Sequence, residues 1–285
     1  MNNLINLINE KLENYMEIAY PENLFKSMQY TVLLPGKRLR PVLCLETCRL
    51  FGGNIEEALP TACAIEMLHA QTLIHDDLPC MDNDDFRRGK PTNHKVFGEA
   101  VAVLAGDALL TFAPQIILKY TKNQELTLKI LDEYFKYAGA YGVIAGQIVD
   151  IESEKSIKTI SNPIKTLEYI HSHKTADLFR LAIRTGAIIG GADEQQLQEM
   201  TTFAEKLGIA FQISDDILDE ISTFEEMGKT IGKDKNAEKL TYVSVYGLES
   251  AKCKLACLLE ECCAIMNKSV IFKEIIYSIK KRVGI

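Results

Sequence analysis

The sequence lacks the features that divide a chain into several domains. Over its 285 residues there is no Pro/Gly/Ser-rich linker, no internal repeat and no low-complexity tract. The chain is 47% hydrophobic and 25% charged, which is ordinary globular composition and enough for a large core. We therefore predict one domain over residues 1–285, although the length alone would also allow two.

The sequence also lacks an excess of positive charge. Its net charge of −7 argues against nucleic acid as the main partner. The cations are clustered instead, at residues 37–40, at Arg87 and Arg88, and between Lys229 and Lys239. A solvated basic face is the ordinary interpretation of one such cluster, but several together suit a small, highly charged anion.

No zinc-binding or secretory pattern is present in the sequence. None of the eight cysteines belongs to a Cys-x-x-Cys pair with matching histidines, which argues against a zinc site. The N-terminal stretch is an amphipathic helical pattern with neither a basic start nor an unbroken apolar run, so we predict a cytoplasmic protein with reduced thiols. Cys44/Cys48 and Cys253/Cys257 are each one helical turn apart, a spacing that favours core packing over redox chemistry.

One apolar run, residues 100–118, is long enough to span a membrane. Its single charge, Asp107, would cost about 2.5–3.5 kcal/mol in mid-membrane, and Pro114 should interrupt the helix. We therefore expect no membrane span and predict a helix buried inside a large helical protein. Helical spacing dominates the sequence and alternating strand patterns are scarce, so the predicted fold class is all-α.

Aspartate is abundant at two places in the sequence. HDDLPCMDNDDFRRG, residues 75–89, carries five aspartates followed by Arg87 and Arg88. FQISDDILDE, residues 211–220, carries three, and Asp215 and Asp219 lie one helical turn apart on one face. Crowded carboxylates are costly unless cations or metals pair with them. Oxygen ligands without His or Cys suit Mg²⁺, so both segments are candidate metal sites.

The two acidic segments should differ in geometry. Pro79 disfavours a helical conformation at the residue before it, so Asp82 should reach its site from a bent segment. No Lys or Arg lies three or four positions from Asp215 or Asp219 in the second segment. A single segment of this kind could be a solvated acidic loop. Two of them, each after an apolar helix, predict metal ions that hold a diphosphate, with Arg and Lys on its remaining oxygens.

Further motifs accompany the two acidic segments in a fixed order, namely PGKRLRP, GQIVDIE, HSHKTADL and GKTIGKD…KLTY. With DDLPCMD and DDILD among them, the chain resembles the trans-isoprenyl diphosphate synthases from end to end. Within that family it is most similar to the geranylgeranyl diphosphate synthases of plants and cyanobacteria, chiefly through residues 66–99. The resemblance implies a single-domain helical bundle of the isoprenoid synthase type around a central cavity, and a homodimer.

The resemblance also implies how two substrates would be held. About three Mg²⁺ would bind the diphosphate of an allylic primer (dimethylallyl, geranyl or farnesyl diphosphate) through Asp76, Asp77, Asp82, Asp215, Asp216 and Asp219. The same group would be contacted by Arg87, Lys174, Lys229 and Lys239. Isopentenyl diphosphate would be bound by Gly36, Lys37, Arg40, His69 and Arg88. The allylic carbocation would lie near Lys174, Thr175 and Gln212.

Product length should depend on the helix that leads to Asp76. Gln71 and Thr72 lie about one turn, 5.4 Å, down this helix, and Leu68 and Met67 lie one turn further. In the resembling farnesyl synthases an aromatic ring at the first level caps a fifteen-carbon chain, and neither residue is aromatic here. We predict that the chain passes this level and that the product is geranylgeranyl diphosphate, although Gln71 could hydrogen-bond across the cavity and narrow it.

Other functions stay open at this stage. One is a farnesyl diphosphate synthase, and another is a non-catalytic regulatory subunit of a heteromeric synthase, although such subunits tend to lose one aspartate motif. A class I terpene cyclase would need a second motif with Asn/Asp, Ser/Thr and Glu. A metal phosphohydrolase built on His75 and Asp76 would need further metal-binding histidines. The sequence leaves open what Lys280, Lys281 and Arg282 do in its short C-terminus.

Overall fold

The computed structural model describes residues 1–156, 160–221 and 239–285, with the side chains of 155 and 156 excepted. Within these ranges the chain is almost wholly helical, which confirms the predicted all-α class. The described residues group into two compact units, one of residues 1–134 with 185–191 and one of the remainder. The single domain over the whole chain stays a prediction.

The first unit is built around one long helix. Its elements are α1 (Asn2–Tyr15), α2 (Glu22–Val32), α3 (Leu39–Leu50), α4 (Ile55–Asp76), β1 (Phe86–Arg87), β2 (Lys90–Pro91), α5 (Asn93–Phe97), α6 (Glu99–Tyr120) and most of α7 (Gln124–Ala138). Asn54 starts α4, since its side chain accepts a hydrogen bond from the backbone of Glu56. Nearly the whole length of α4 is buried against α3 and α6, so its C-terminal end is firmly placed.

Helix α6 differs from the prediction in two respects. It continues through Pro114. Proline removes the N–H that would bond to the Leu110 carbonyl, and the buried Tyr134 hydroxyl donates to that carbonyl at 3.3 Å instead. Moreover, α6 is not buried all round. It is long and apolar enough to cross a membrane by length and composition, 44% of its most apolar stretch is buried, and Leu104 and Leu118 are exposed.

The second unit packs its helices on α11. Its elements are the end of α7, α8 (Val143–Ser156), α9 (Pro163–Ile170), a π-helical segment (His171–Ala176), the start of α10 (Asp177–Gly190), α11 (Glu194–Ile221), α12 (Tyr242–Tyr246), α13 (Leu248–Ile265) and α14 (Val270–Arg282). Helix α13 and the π-helical segment both pack on α11. The edge-on rings of Phe203 and Phe272, 5.2 Å apart, hold α14 to the same helix.

The cysteine pairs divide between the interior and the surface. Cys44 and Cys48 are buried, which confirms core packing for this pair. Cys253 and Cys257 are exposed, so the same prediction is wrong for them. The buried stripe of α13 runs through other positions, for example Leu255, so one-turn spacing placed that pair on a common face but did not identify which face.

Candidate active site

The first acidic segment folds back on the end of α4. The helix ends at Asp76, and the backbone N–H of Asp82 donates to the carbonyl of Asp76 at 2.8 Å. Asn83 follows in the left-handed region (φ 51°), and its N–H donates to Leu78 at 3.1 Å. The predicted bent approach of Asp82 is therefore confirmed, and the half-buried carboxylates of Asp76 and Asp82 belong to one tight loop.

Arg87 organises the buried part of this segment. Its Nε donates to Oδ1 of Asp77 at 3.0 Å and its Nη2 donates to the same oxygen. Nη2 also lies 3.3 Å from Oδ2 of Asp84. Burial raises the pKa of Asp77 to about 6, although the nearby guanidinium acts in the opposite direction. Asp77 is thus a buried carboxylate that accepts hydrogen bonds from another side chain of the protein.

A two-residue hairpin carries both arginines of the segment. Strands β1 and β2 pair through Arg87 and Lys90, and the turn residues Arg88 and Gly89 both have positive φ (54° and 73°), which a type I′ turn requires. The turn places Arg88 beside Gly36, in the loop between α2 and α3 that also carries Lys37. A Cβ atom at Gly36 would lie 2.8 Å from Nη1 of Arg88, so glycine leaves the space that the guanidinium occupies.

A second group of cations surrounds His69 on α4. Nη1 of Arg40 lies 3.5 Å from Nε2 of His69. Burial, with Arg40 and Arg88 adding to it, lowers the pKa of His69 well below its usual value, so the ring is neutral at pH 7. Arg38 points elsewhere, to Glu66 at 2.8 Å in the core. The structure therefore brings together four of the five residues predicted for isopentenyl diphosphate, and the fifth, Lys37, lies exposed on the same loop.

The predicted chain-length residues satisfy their polar groups on their own helix. The amide of Gln71, a buried side chain, lies 3.1 Å from Nδ1 of His75. The hydroxyl of Thr72 donates to the carbonyl of His69 at 2.8 Å. Leu68 and Met67 are buried one turn further down. The observed hydrogen bond of Gln71 thus runs along α4.

The second acidic segment lies on α11, as its spacing predicted. Asp216 is buried and accepts from the Gln212 amide at 2.8 Å and from the backbone N–H of Tyr242 at 2.7 Å. Nε2 of His171 lies 3.3 Å from the same carboxylate. Asp215 and Asp219 are half-buried on the same helix. Asp216 thereby ties α11 to the start of α12 and to the π-helical segment.

The contact between Arg282 and Asp215 was not predicted from the sequence. Nη2 of Arg282 lies 3.0 Å from Oδ1 of Asp215, and the same guanidinium lies 5.5 Å from the ring centre of Phe211. Helical spacing predicts partners three or four positions away, whereas Arg282 and Asp215 are 67 positions apart in the sequence. The short C-terminus therefore supplies a cation to the second acidic segment.

The predicted carbocation residues meet around the π-helical segment. The hydroxyl of Thr175 donates to the Gln212 oxygen at 2.5 Å, which links it to Asp216. π-Helical turns are rare and often occur at functional sites. A Cβ atom at Gly146 would lie 2.2 Å from the backbone nitrogen of Lys174, so glycine on α8 is required for this close approach.

Asp150 joins two of the predicted diphosphate-binding lysines. The ammonium groups of Lys174 and Lys239 both contact Oδ2 of Asp150, the latter at 3.6 Å, and Lys239 also lies 3.1 Å from Glu154. Burial acts against ionisation of Asp150, but the two lysines hold its pKa below the ordinary value. Asp150 lies in the GQIVDIE motif, and no role was predicted for it from the sequence. Lys229, the third predicted lysine, lies outside the described residues.

The donor chemistry fits a hard cation. Both acidic segments offer carboxylate oxygens. Both nitrogens of His75, the residue that a phosphohydrolase would use, already contact protein groups. Within the described ranges no three His, Cys, Asp or Glu side chains form a group that could hold a metal ion by themselves. Mg²⁺ commonly takes one or two carboxylates and completes its shell with water and phosphate oxygens, so this arrangement suits it.

Comparisons with known proteins identify a matching family, related sequences and a similar fold. Residues 21–278 match the polyprenyl synthetase family. The chain is 48% identical to a chloroplastic geranylgeranyl pyrophosphate synthase of Catharanthus roseus, over 87% of this chain and 69% of the relative. It is 49% identical to a farnesyl diphosphate synthase of Geobacillus stearothermophilus, over 86% and 82%. A Helicobacter pylori geranyltransferase, crystallised with magnesium and isoprenyl diphosphate, superposes with a TM-score of 0.85 at 29% identity, covering 99% of this chain and 96% of that one.

Proposed function

The chain belongs to the polyprenyl synthetase family, and from that premise we propose that it is a Mg²⁺-dependent prenyltransferase. It joins isopentenyl diphosphate head-to-tail to an allylic diphosphate. The observation that carries this proposal is the presence of two acidic segments that each have a cation beside them, Arg87 at Asp77 and Arg282 at Asp215. Lys174 and Lys239 meet at Asp150 in the unit that holds the second segment. Relatives of known name include geranylgeranyl and farnesyl diphosphate synthases.

The six aspartates divide into two groups by their burial. Asp76, Asp82, Asp215 and Asp219 are half-buried, and we assign them to the ions, about three per site. Asp77 and Asp216 are buried and already accept hydrogen bonds from protein donors. They position the segments, and would ligate an ion only if those contacts gave way. When bound, Mg²⁺ would neutralise charge on the leaving diphosphate.

The protein's own groups assist each stage of the reaction. The C–O bond of the allylic diphosphate breaks, and Arg87, Lys174 and Lys239 stabilise the charge that develops on the departing group. The oxygens of Thr175 and Gln212 lie near the carbocation. The double bond of isopentenyl diphosphate attacks it and forms the new C–C bond. The departed diphosphate takes the proton, so no dedicated protein base is required.

We assign the product as geranylgeranyl diphosphate, with twenty carbons. The level of Gln71 and Thr72 has no aromatic ring, and both side chains bond to α4 itself. Met67 and Leu68 then form the next level. Gln71→Tyr would place a ring at the first level and should shift the product toward fifteen carbons. An unchanged product profile in that variant would show that the chain stops elsewhere.

We also propose that the protein is a homodimer and that it is cytoplasmic. Leu104 and Leu118 on α6 and Leu128 on α7 are 58%, 63% and 63% exposed, and we infer that they belong to the contact surface. The eight cysteines are all free thiols, which suits a reducing compartment. Leu118→Glu should produce monomers in light scattering, whereas an unchanged mass would place the dimer contact elsewhere.

The proposed activity is tested with purified protein, Mg²⁺ and isopentenyl diphosphate. Dimethylallyl, geranyl and farnesyl diphosphate are supplied separately, and product length is determined by chromatography. We expect a twenty-carbon product from each primer. A product that ends at fifteen carbons would keep the reaction and make the protein a farnesyl diphosphate synthase. No condensation with any primer would overturn the proposal in favour of a regulatory subunit.

A further inference from the structure

His75 has no role in the function proposed above, yet both nitrogens of its ring have defined contacts. Nδ1 lies 3.1 Å from Nε2 of Gln71 on the same helix. Nε2 lies 3.1 Å from the backbone oxygen of Val103 on α6. The ring therefore links Gln71, at the first level below the aspartates, to a second helix of the same unit.

These contacts define the tautomer of the ring. A backbone carbonyl can only accept a hydrogen bond, so Nε2 of His75 carries the proton. Nδ1 of the neutral ring is then an acceptor, and the amide nitrogen of Gln71 donates to it. The contact fixes which end of the Gln71 amide faces His75.

Gly106 provides the space for the ring. A Cβ atom at Gly106 would lie 2.0 Å from Nε2 and 2.3 Å from Cδ2 of His75, far inside van der Waals contact. The side chain of Asp107 is 62% exposed, and its Oδ1 lies 3.9 Å from Nε2, beyond hydrogen-bonding distance. The carbonyl of Val103, and not a charge, therefore holds the ring in place.

We propose that His75 is a positioning residue for product length. It holds the amide of Gln71 beside its own ring and out of the path of the growing chain, and Gly106 makes that position possible. This inference rests on the proposed function, because it requires a chain that grows past Gln71. Without the contact, the Gln71 amide can turn toward the chain, and elongation ends earlier.

The test is a double-mutant cycle read by product length. His75→Phe keeps a flat ring but has neither nitrogen. With dimethylallyl diphosphate as primer and excess isopentenyl diphosphate, we expect the ratio of fifteen- to twenty-carbon products to rise about fivefold, equivalent to one hydrogen bond of about 1 kcal/mol. In a Gln71→Ala background the same change should leave the ratio unaltered, because the group that His75 positions is absent.

Two further variants allow the test to be made if His75→Phe does not fold. Gly106→Ala displaces the ring without altering either polar group, and His75→Asn is smaller but cannot reach Gln71 and Val103 together. Both should raise the ratio as His75→Phe does. Asp107→Asn leaves the contacts of the ring intact and is the matched control, with the wild-type ratio expected.

The outcomes separate the two proposals. A wild-type ratio in the folded His75 and Gly106 variants would show that His75 does not position Gln71. So would an equal shift from His75→Phe in the Gln71→Ala background, since a change in general packing would persist there. Failure of the wild-type protein to lengthen any primer would instead overturn the proposed function.

Discussion

Asp77 in the first acidic segment and Asp216 in the second are both buried, and they are held by different kinds of partner. Asp77 accepts two hydrogen bonds from the guanidinium of Arg87, a charged group. Asp216 accepts from two neutral donors, the Gln212 amide and the Tyr242 backbone, and Nε2 of His171 lies 3.3 Å from it. A charged partner makes a stronger hydrogen bond but leaves an uncompensated cation when the carboxylate is removed. The first segment therefore depends more heavily on its buried aspartate than the second does.

The two segments also share a feature. In each, the aspartate directly before the buried one, Asp76 or Asp215, is half-buried. An aspartate pair in this protein thus combines one carboxylate that holds the fold with one that is accessible to a ligand. Both motifs contain two consecutive aspartates, and the sequence does not show which of the two side chains is buried.

The largest effect is expected for the accessible aspartates. Asp76→Ala and Asp215→Ala should each lower kcat by about 10³-fold, because each removes an oxygen ligand that helps to stabilise the departing diphosphate. Steady-state kinetics with saturating Mg²⁺ measure this, with the exposed Asp132→Ala as the control. Wild-type kcat in either variant would show that the substituted aspartate is not a metal ligand. The two segments would then not share an accessible aspartate that binds metal.

Stability should distinguish the buried aspartates from each other. Asp77→Asn leaves the Arg87 guanidinium without its main counter-charge and should lower the free energy of unfolding by about 3 kcal/mol. Asp216→Asn keeps an oxygen acceptor for one of its two neutral donors, which donate to different oxygens of the carboxylate, and should cost about 1 kcal/mol. Urea unfolding measures both values, and Asp132→Asn is the reference. Equal costs would show that the kind of partner does not matter.

Another prediction concerns Asp150, the carboxylate that contacts both Lys174 and Lys239. Asp150→Asn weakens the contact that holds Lys174 and Lys239 near each other, so we expect kcat/KM for the allylic substrate to fall about tenfold, mainly through KM. Glu154→Gln, which affects Lys239 alone, should have less than half of this effect in free energy. Equal losses in the two variants would argue against the shared carboxylate.

The smallest effect is a pH dependence in the first unit. The pKa of His69 is lower in the folded protein than the unfolded value of about 6.5. Below pH ~6.5 the unfolded chain therefore takes up a proton that the folded chain does not, and stability falls by up to about 1.4 kcal/mol per pH unit. His69→Gln lacks this proton uptake and should lose stability less steeply between about pH 6.5 and 5. Parallel curves would show that His69 ionises normally in the fold.

The sequence predicted local geometry better than long-range contacts. The helical pair Asp215 and Asp219 and the bend that brings Asp82 to Asp76 follow from short-range rules of spacing and proline, and both are present. The contact of Arg282 with Asp215 follows no such rule, since it depends on how α14 packs.

Tertiary contacts also account for the incorrect prediction at Pro114. Proline was expected to interrupt α6, but a hydroxyl from Tyr134 satisfies the carbonyl that proline leaves without a donor. No pattern in the sequence pairs residues from two helices in this way. The inward turn of Arg38 toward Glu66 is a similar case, because its neighbours Lys37 and Arg40 look equivalent to it in the sequence.

The most direct test of the central claim is the number of Mg²⁺ ions that the protein binds with inorganic diphosphate, measured by isothermal titration calorimetry. The claim is that each acidic segment supplies carboxylate ligands to Mg²⁺. We predict about three ions for the wild-type protein, and fewer in Asp76→Ala and in Asp215→Ala, with Asp132→Ala unchanged. Full stoichiometry and affinity in either of the first two variants would contradict the account, because the mutated aspartate would then not be a ligand.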